Sequence, residues 1–265
     1  MSYFGRAFVF DSTPCEMFDL MMYDIGDLDH DLEIAGTYEI EDETIGDKWK
    51  PYFYGTKHGG KLEFDITFGV NMRRIDDEKF LDRWELAEVM TWLCQKEYKW
   101  LYIDQSDMTL VGYRCMISKP QVTRYGSVPW ALKAHVVCDS PYAYLEAKEI
   151  TCEVNGSTEI QIYNESSLND WYLPKLTFTR TGGTAFSVTN AQDNNRGPSL
   201  TGISGSVGEI TIDNEHCVID NDQGVNLYSG FNFQFLRLSR GENTITITGT
   251  GTVKIRCEFP INVGG

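Results

Sequence analysis

The sequence predicts a mainly β protein in two parts, an α+β first domain with one helix followed by a β-sandwich, and three observations carry that prediction. Residues 61–68 alternate polar and apolar side chains almost without a break, the pattern of a strand with one face on a core and the other in water. Residues 76–95 give the only strong helical signal. There Asp76, Asp77 and Glu78 favour the positive end of a helix dipole, and Phe80, Trp84, Ala87 and Cys94 fall on one stripe. Past residue 147, short β-branched runs are divided by Gly, Asn and Asp, the texture of a sandwich.

Taken in order, the chain opens on a strand at 6–10, stopped by the turn-forming Asp11-Ser12-Thr13-Pro14. A short apolar segment at 18–23 follows. Residues 24–43 are acidic, carry Gly26 and Gly36, and alternate at Leu32, Ile34 and again at Tyr38, Ile40. This predicts a solvated hairpin with little core of its own, an arm in need of a partner surface on an adjacent subunit. After the strand at 61–68 and the helix, strands are predicted at 98–103, 110–119 and 130–138, with turn signals at 104–107 and 125–127. Pro141 drives the residue before it out of helical geometry and marks a strand exit, so the predicted domains are 1–146 and 147–265. The second domain should hold strands at 158–163, 175–179, 185–189, 209–212, 231–238, 243–248 and 252–258. Its turns should lie at 181–183, 193–195, 221–222, 239–241 and 249–251.

Composition narrows the function. With 42% hydrophobic and 23% charged residues over 265 positions, the chain can bury cores that need neither metals nor disulfides. A net charge of -16 argues against a nucleic-acid binder, which concentrates Lys and Arg to displace counterions from phosphate. No apolar run reaches membrane-spanning length, and the first ten residues show no apolar core after a basic start, so neither membrane insertion nor export by that route is expected. The seven cysteines are odd in number and scattered, without a CxxC pair, and read as reduced, mostly buried thiols made in a cytosol.

Asp27, Asp29, Asp31 and Glu33 alternate like the start of a calcium loop, yet Leu32 stands where that motif needs Gly and Tyr38 where it needs Glu. His30, His58, His135 and His216 are far apart and sit in no HExxH, GxSxG or Cys-His context. Residues 202–208 are glycine-rich but lack the Gly-Lys-Ser ending of a phosphate loop. Trp171, Tyr172, Tyr228 and Phe231 could form a platform for sugar stacking, although core packing is the commoner use of such side chains. No catalytic, cofactor-binding or metal-ligating residue is assigned, and no cofactor is expected.

Four segments occur in a telling order: Ile117-Ser118-Lys119-Pro120 with Tyr125, the run from Cys138 through Asp139-Ser140-Pro141 to Tyr144, Gly208-Glu209-Ile210-Thr211-Ile212-Asp213-Asn214, and Leu238-Ser239-Arg240-Gly241-Glu242-Asn243-Thr244-Ile245. Together they resemble the distal tail protein family of siphophages. One departure is the opening, where Phe8-Val9-Phe10 leads into Asp11-Ser12-Thr13-Pro14-Cys15 instead of a Gly- or Ser-bearing turn. The resemblance implies a ring-forming first domain and a galectin-like sandwich, in a structural protein and not an enzyme. It implies a homo-hexamer that joins the tail tube protein to a tail-associated hub or fibre protein and to a receptor-binding protein, and that lets DNA pass without binding it specifically. Such a protein is made in the bacterial host cytoplasm and resides in the virion at the tail tip or baseplate. A carbohydrate-binding module or glycan-binding tail component is the alternative, and a glycan-cleaving enzyme the more distant one.

Overall fold

The computed structural model describes residues 5–23, 38–71, 80–106, 108–125 and 127–263. Strands dominate, as the fold class predicted, and the chain contacts divide it into two compact units: Met1–Leu145 with Asn262–Gly265, and Glu146–Ile261.

In the first unit the strands are β1 (Phe8–Phe10), β2 (Thr13–Pro14), β3 (Leu20–Met22), β4 (Tyr38–Glu43), β5 (Tyr52–His58), β6 (Glu63–Val70), β7 (Lys99–Ile103), β8 (Val111–Tyr125), β9 (Val128–Cys138) and β10 (Ala143–Leu145). The main sheet runs in the order β2-β1-β7-β8-β9-β6-β3, with β10 against β8, and every one of these pairings is antiparallel. Its core face follows from alternation. Phe64, Ile66 and Phe68 of β6 are buried while Glu63 and Asp65 between them point to solvent. Helix α1 (Arg83–Leu93) covers this face, and Trp92 stacks on Phe8 and Phe18 at ring distances of 5.6 and 4.7 Å while its indole N–H donates to the Phe10 carbonyl at 3.0 Å.

The helix is shorter than 76–95 for a local reason. Asp82 is its N-cap and forms a capping box with Glu85, accepting from the Trp84 and Glu85 amides at 2.7 and 2.8 Å. Residues 72–79, with Asp76, Asp77 and Glu78, lie outside the described ones. The predicted stripe is also corrected: Trp84 is 81% exposed and Ala87 and Cys94 are exposed, whereas Val89 and Leu93 are buried. The period of the pattern is helical, but its phase belongs to the Val89–Leu93 face, because Trp92 is the side chain that the aromatic core receives.

The second unit holds β11 (Lys148–Asn164), β12 (Lys175–Asn190), β13 (Ser199–Thr201), β14 (Glu209–Asp213), β15 (Val218–Asn221) and β16 (Gly241–Cys257), joined in the order β11-β16-β12-β14-β15 with β13 on β12. Two predicted turns, at 181–183 and 249–251, are corrected: they lie inside continuous strands of 16 and 17 residues. They are bends. Phe178 and Phe186, eight positions apart on β12, stack at 4.1 Å, although a straight strand would separate them by about 26 Å at ~3.3 Å per residue. The strand therefore doubles back between them, where its register with β16 shifts at Arg180/Gly182 and Gly182/Ser187. Glycines line the fold across three strands, with Gly156 opposite Gly249 and Gly182 opposite Thr250. A Cβ on Gly251 would lie 2.2 Å from the Thr179 carbonyl oxygen, so only glycine permits that approach. One hydrogen-bonded sheet thereby makes both layers of a sandwich.

The predicted strand at 231–238 is not a strand; it makes only the isolated bridges Leu200↔Phe231 and Tyr172↔Leu238. Buried asparagines take the place of a ladder. The Leu236 amide donates to Asn214 at 2.7 Å, the Arg237 carbonyl accepts from Asn190 at 2.7 Å, and Asn164 donates to the Leu238 and Ser239 carbonyls. Asn243 accepts from the Ser239 amide at 2.9 Å and from Asn190 at 3.0 Å. Every buried backbone group needs a partner, and here the side chains supply it. Asn214, just past the predicted strand at 209–212, and Asn243, which opens the predicted strand at 243–248, are these buried hubs.

Candidate interaction surface

Strands β4 and β5 form a two-stranded sheet by themselves. The acidic hairpin predicted within 24–43 is thus corrected in its pairing: Tyr38–Glu43 is one strand, but its partner is Tyr52–His58, and residues 24–37, with Leu32, Ile34 and the calcium-like series Asp27 to Glu33, lie outside the described ones. Register runs Tyr38↔His58, Glu39↔Lys57, Ile40↔Thr56 and Glu41↔Gly55, then slips to Asp42↔Phe53 and Glu43↔Tyr52, leaving Tyr54 as the extra residue of a bulge. One face carries a charge ladder, with Lys57 Nζ 3.0 Å from Glu39 and 3.8 Å from Glu41. Ile40 points the other way. Along the hairpin and its tip, Ile40 is 69%, Trp49 93%, Phe53 67% and Tyr54 61% exposed. An isolated two-stranded hairpin is marginal in water, so this row of uncovered apolar side chains is a feature that the described residues of the first unit leave unfinished. Sequence reading missed β5 because Tyr54 and Gly55 break its alternation, although Tyr52-Phe53-Tyr54 carries strong strand propensity.

On the solvent face of the main sheet a polar cluster joins β6 to β9. His135 Nδ1 lies 2.9 Å from Asp65 and its Nε2 3.2 Å from Glu63, while Lys133 Nζ lies 2.9 Å from Asp65. Partial burial alone would raise the Asp65 pKa, but hydrogen bonds and charge from Lys133 and His135 outweigh it and hold the carboxyl below its usual range. These are cross-strand pairs, which stabilise a sheet. The exit segment is similarly self-contained: Tyr144 donates to Asp139 and Ser140 at 3.1 and 3.0 Å, and burial pushes its hydroxyl up to about 12.

The aromatic platform proposed from sequence divides in the second unit. The Arg237 guanidinium lies 4.5 Å over Trp171 and is bound by Asp193 through Nε at 2.5 Å and Nη2 at 2.8 Å. Tyr172 packs on Phe259, its hydroxyl accepting from the Glu258 amide at 2.6 Å, while Tyr228 stacks on Phe233 and Phe231 is tilted against that same ring. In the 202–208 loop the carbonyls of Gly205 and Val207 accept from Arg180 at 2.8 and 2.9 Å, the opposite polarity to an amide cradle for phosphate.

His216 pairs with Asp213 at 3.0 Å, and His30 and the His58 side chain lie outside the described residues. All seven cysteines are free; Cys15, Cys115, Cys138 and Cys257 are buried, and desolvation raises all four thiols, Cys15 to about 11 and Cys115 and Cys257 to about 12. Among the described residues no group of three or more His, Cys, Asp or Glu is placed to hold a metal, and no helix is long and apolar enough to cross a membrane.

The fold defines a mainly β protein built from antiparallel sheets. The chain belongs to a phage tail protein family, matching that family's N-terminal domain over residues 4–140 and its phage tail C-terminal domain over residues 142–257. The crystal structure of the SPP1 Dit protein, a paradigm of the hub adsorption apparatus in phages infecting Gram-positive bacteria, is similar over 96% of this chain and 98% of its own, at 12% identity and a TM-score of 0.65. A chain of the phage P2 baseplate in its activated conformation with calcium is similar over 91% of this chain and 90% of its own, at 8% identity and a TM-score of 0.50. At these identities the likeness is one of fold. A comparison with curated proteins gives no match.

Proposed function

We propose that this phage tail protein is the distal tail protein of a long non-contractile tail, in which six copies close a ring that joins the tail tube to the baseplate. The observation that carries the reading is the β4–β5 hairpin, whose exposed Ile40, Trp49, Phe53 and Tyr54 call for a partner surface outside the chain's own fold. The distal tail fold and the sixfold number come from the resemblance, and the net charge of -16 suits a bore through which DNA slides without sticking. In this reading residues 1–146 carry the ring contacts and 147–265 face other baseplate or receptor-binding components. The protein acts by assembly, not by catalysis. A sugar-binding role has less support, since Trp171 is covered by Arg237 and Tyr172 is engaged with Phe259 and Glu258.

Light scattering tests the reading on the full chain. The expected mass at micromolar concentration is that of six copies, and deletion of residues 38–58 should leave folded monomers. Full rings from the deletion variant would refute the role of the hairpin, and a glycan array with reproducible binding would move the assignment to the lectin-like alternative.

A further inference from the structure

The first unit also offers a receptor for the hairpin tip. Beside β2, at the end of the main sheet, lies an open groove of about 360 Å³ walled by Pro14, Tyr102, Ile103 and Leu110. Leu110, which lines the groove, is 67% exposed and sits at φ 66, a left-handed backbone uncommon for leucine. Two carboxylates, Glu16 and Asp104, also line the groove. The hairpin tip carries the matching set: Trp49, exposed to 93%, between Lys48 and Lys50. None of these two lysines and two carboxylates belongs to an ion pair among the described residues. In a chain of net charge -16, a Lys-Trp-Lys tip is a local reversal of sign, and the acidic groove is what it complements.

We propose that Trp49 of one copy seats in this groove on a second copy, with Lys48 and Lys50 facing Glu16 and Asp104. Tip and groove are different surfaces, so the contact is head-to-tail, the type that repeats from copy to copy and closes when the rotation returns on itself. A groove of this size lies at the lower end of the ~300–1,000 Å³ that accommodates small molecules, suited to one indole. Tryptophan is also among the side chains most enriched at interface hot spots. The inference rests on the ring reading above and adds the residues that key it.

The test measures self-association of the full chain by light scattering and sedimentation. Trp49→Ala should weaken association by about tenfold or more. Lys48→Glu with Lys50→Glu should do likewise, as should Glu16→Lys with Asp104→Lys, and the four changes combined in one chain should restore most of the assembly. Circular dichroism checks that each variant is folded. A wild-type chain that assembles while Trp49→Ala assembles equally well, or a combined variant that stays as weak as its parents, overturns this inference and leaves the ring intact. A wild-type chain that is monomeric throughout overturns the ring reading and this contact with it.

Discussion

Strands β5 and β6 lie a few residues apart in sequence, both rich in aromatic and β-branched residues, yet they end in opposite environments. On β6, Phe64, Ile66 and Phe68 are buried, with Phe68 edge-on to Phe8 at 5.1 Å and Phe64 edge-on to Tyr113. On β5, Phe53 and Tyr54 remain largely in water. The difference lies in the availability of a partner layer, since β6 pairs with β3 and β9 while β5 pairs with β4 alone. A strand's propensity fixes its conformation, but only the rest of the chain or another molecule can fix its burial.

The comparison breaks most directly at matched phenylalanines. Phe68→Ala should destabilise the first unit by about 3–5 kcal/mol, the usual cost of emptying a buried aromatic site, whereas Phe53→Ala should change monomer stability by under about 0.5 kcal/mol. Chemical denaturation followed by tryptophan fluorescence reads this well, because Trp171 is the only tryptophan after residue 147. Similar losses from both variants would mean that the hairpin is part of the core.

Backbone crowding gives the next contrast. A Cβ on Gly69 of β6 would meet the Trp130 carbonyl oxygen at 2.4 Å and Ala131 at 2.8 Å, so Gly69→Ala should cost about 1–3 kcal/mol through forced shifts between β6 and β9. The comparable Gly60, between hairpin and sheet, has nothing within 4 Å, and its φ of 119 is the only objection to alanine there. Equal crowding signatures, read as lost hydrogen-exchange protection across β9 in both variants, would remove the distinction between closed and open regions.

The lid on the closed region is α1, and its stability depends on its cap. Asp82→Ala removes two accepted hydrogen bonds and should cost about 1 kcal/mol, with faster amide exchange in the helix and over Phe8 and Phe10 and no change along β4 and β5. Exchange that accelerates in the hairpin as well would show that the helix supports it.

What was legible in the sequence follows the same division. Strands that bury one face on the chain's own core, such as 61–68, announce themselves by alternation, and the fold class follows from them. Features that depend on tertiary closure did not. Gly182, Gly249 and Gly251 read as turns because glycine permits turns, but here it permits a sheet to fold over itself. The 231–238 segment reads as a strand by composition, and the asparagines that replace its ladder come from 164, 190 and 214, 22 to 74 positions from the groups they bond, with Asn243 just beyond the segment. The interaction surface was half visible: its acidic strand was found, while its aromatic partner was hidden by a bulge that defeats a period of two.

The smallest effect concerns charge, and it separates the two regions once more. Asp65 on β6 has its pKa lowered by Lys133 and His135, so its contribution is present above its unfolded value of roughly 3.9 and is lost as pH falls through the lower folded value. The carboxylate is 43% exposed, which screens the pair and keeps the effect under about 1 kcal/mol. Asp65→Asn should therefore lower stability slightly at pH 7 and flatten the acid limb of the stability curve below pH ~4. The Glu39–Lys57 ladder has similar geometry at 3.0 Å but lies on a hairpin that adds little to the unit's unfolding. Glu39→Gln should leave the midpoint unchanged in the monomer. If the two variants lower the midpoint at pH 7 equally, the hairpin unfolds with the core and its exposed face is not free to serve another copy.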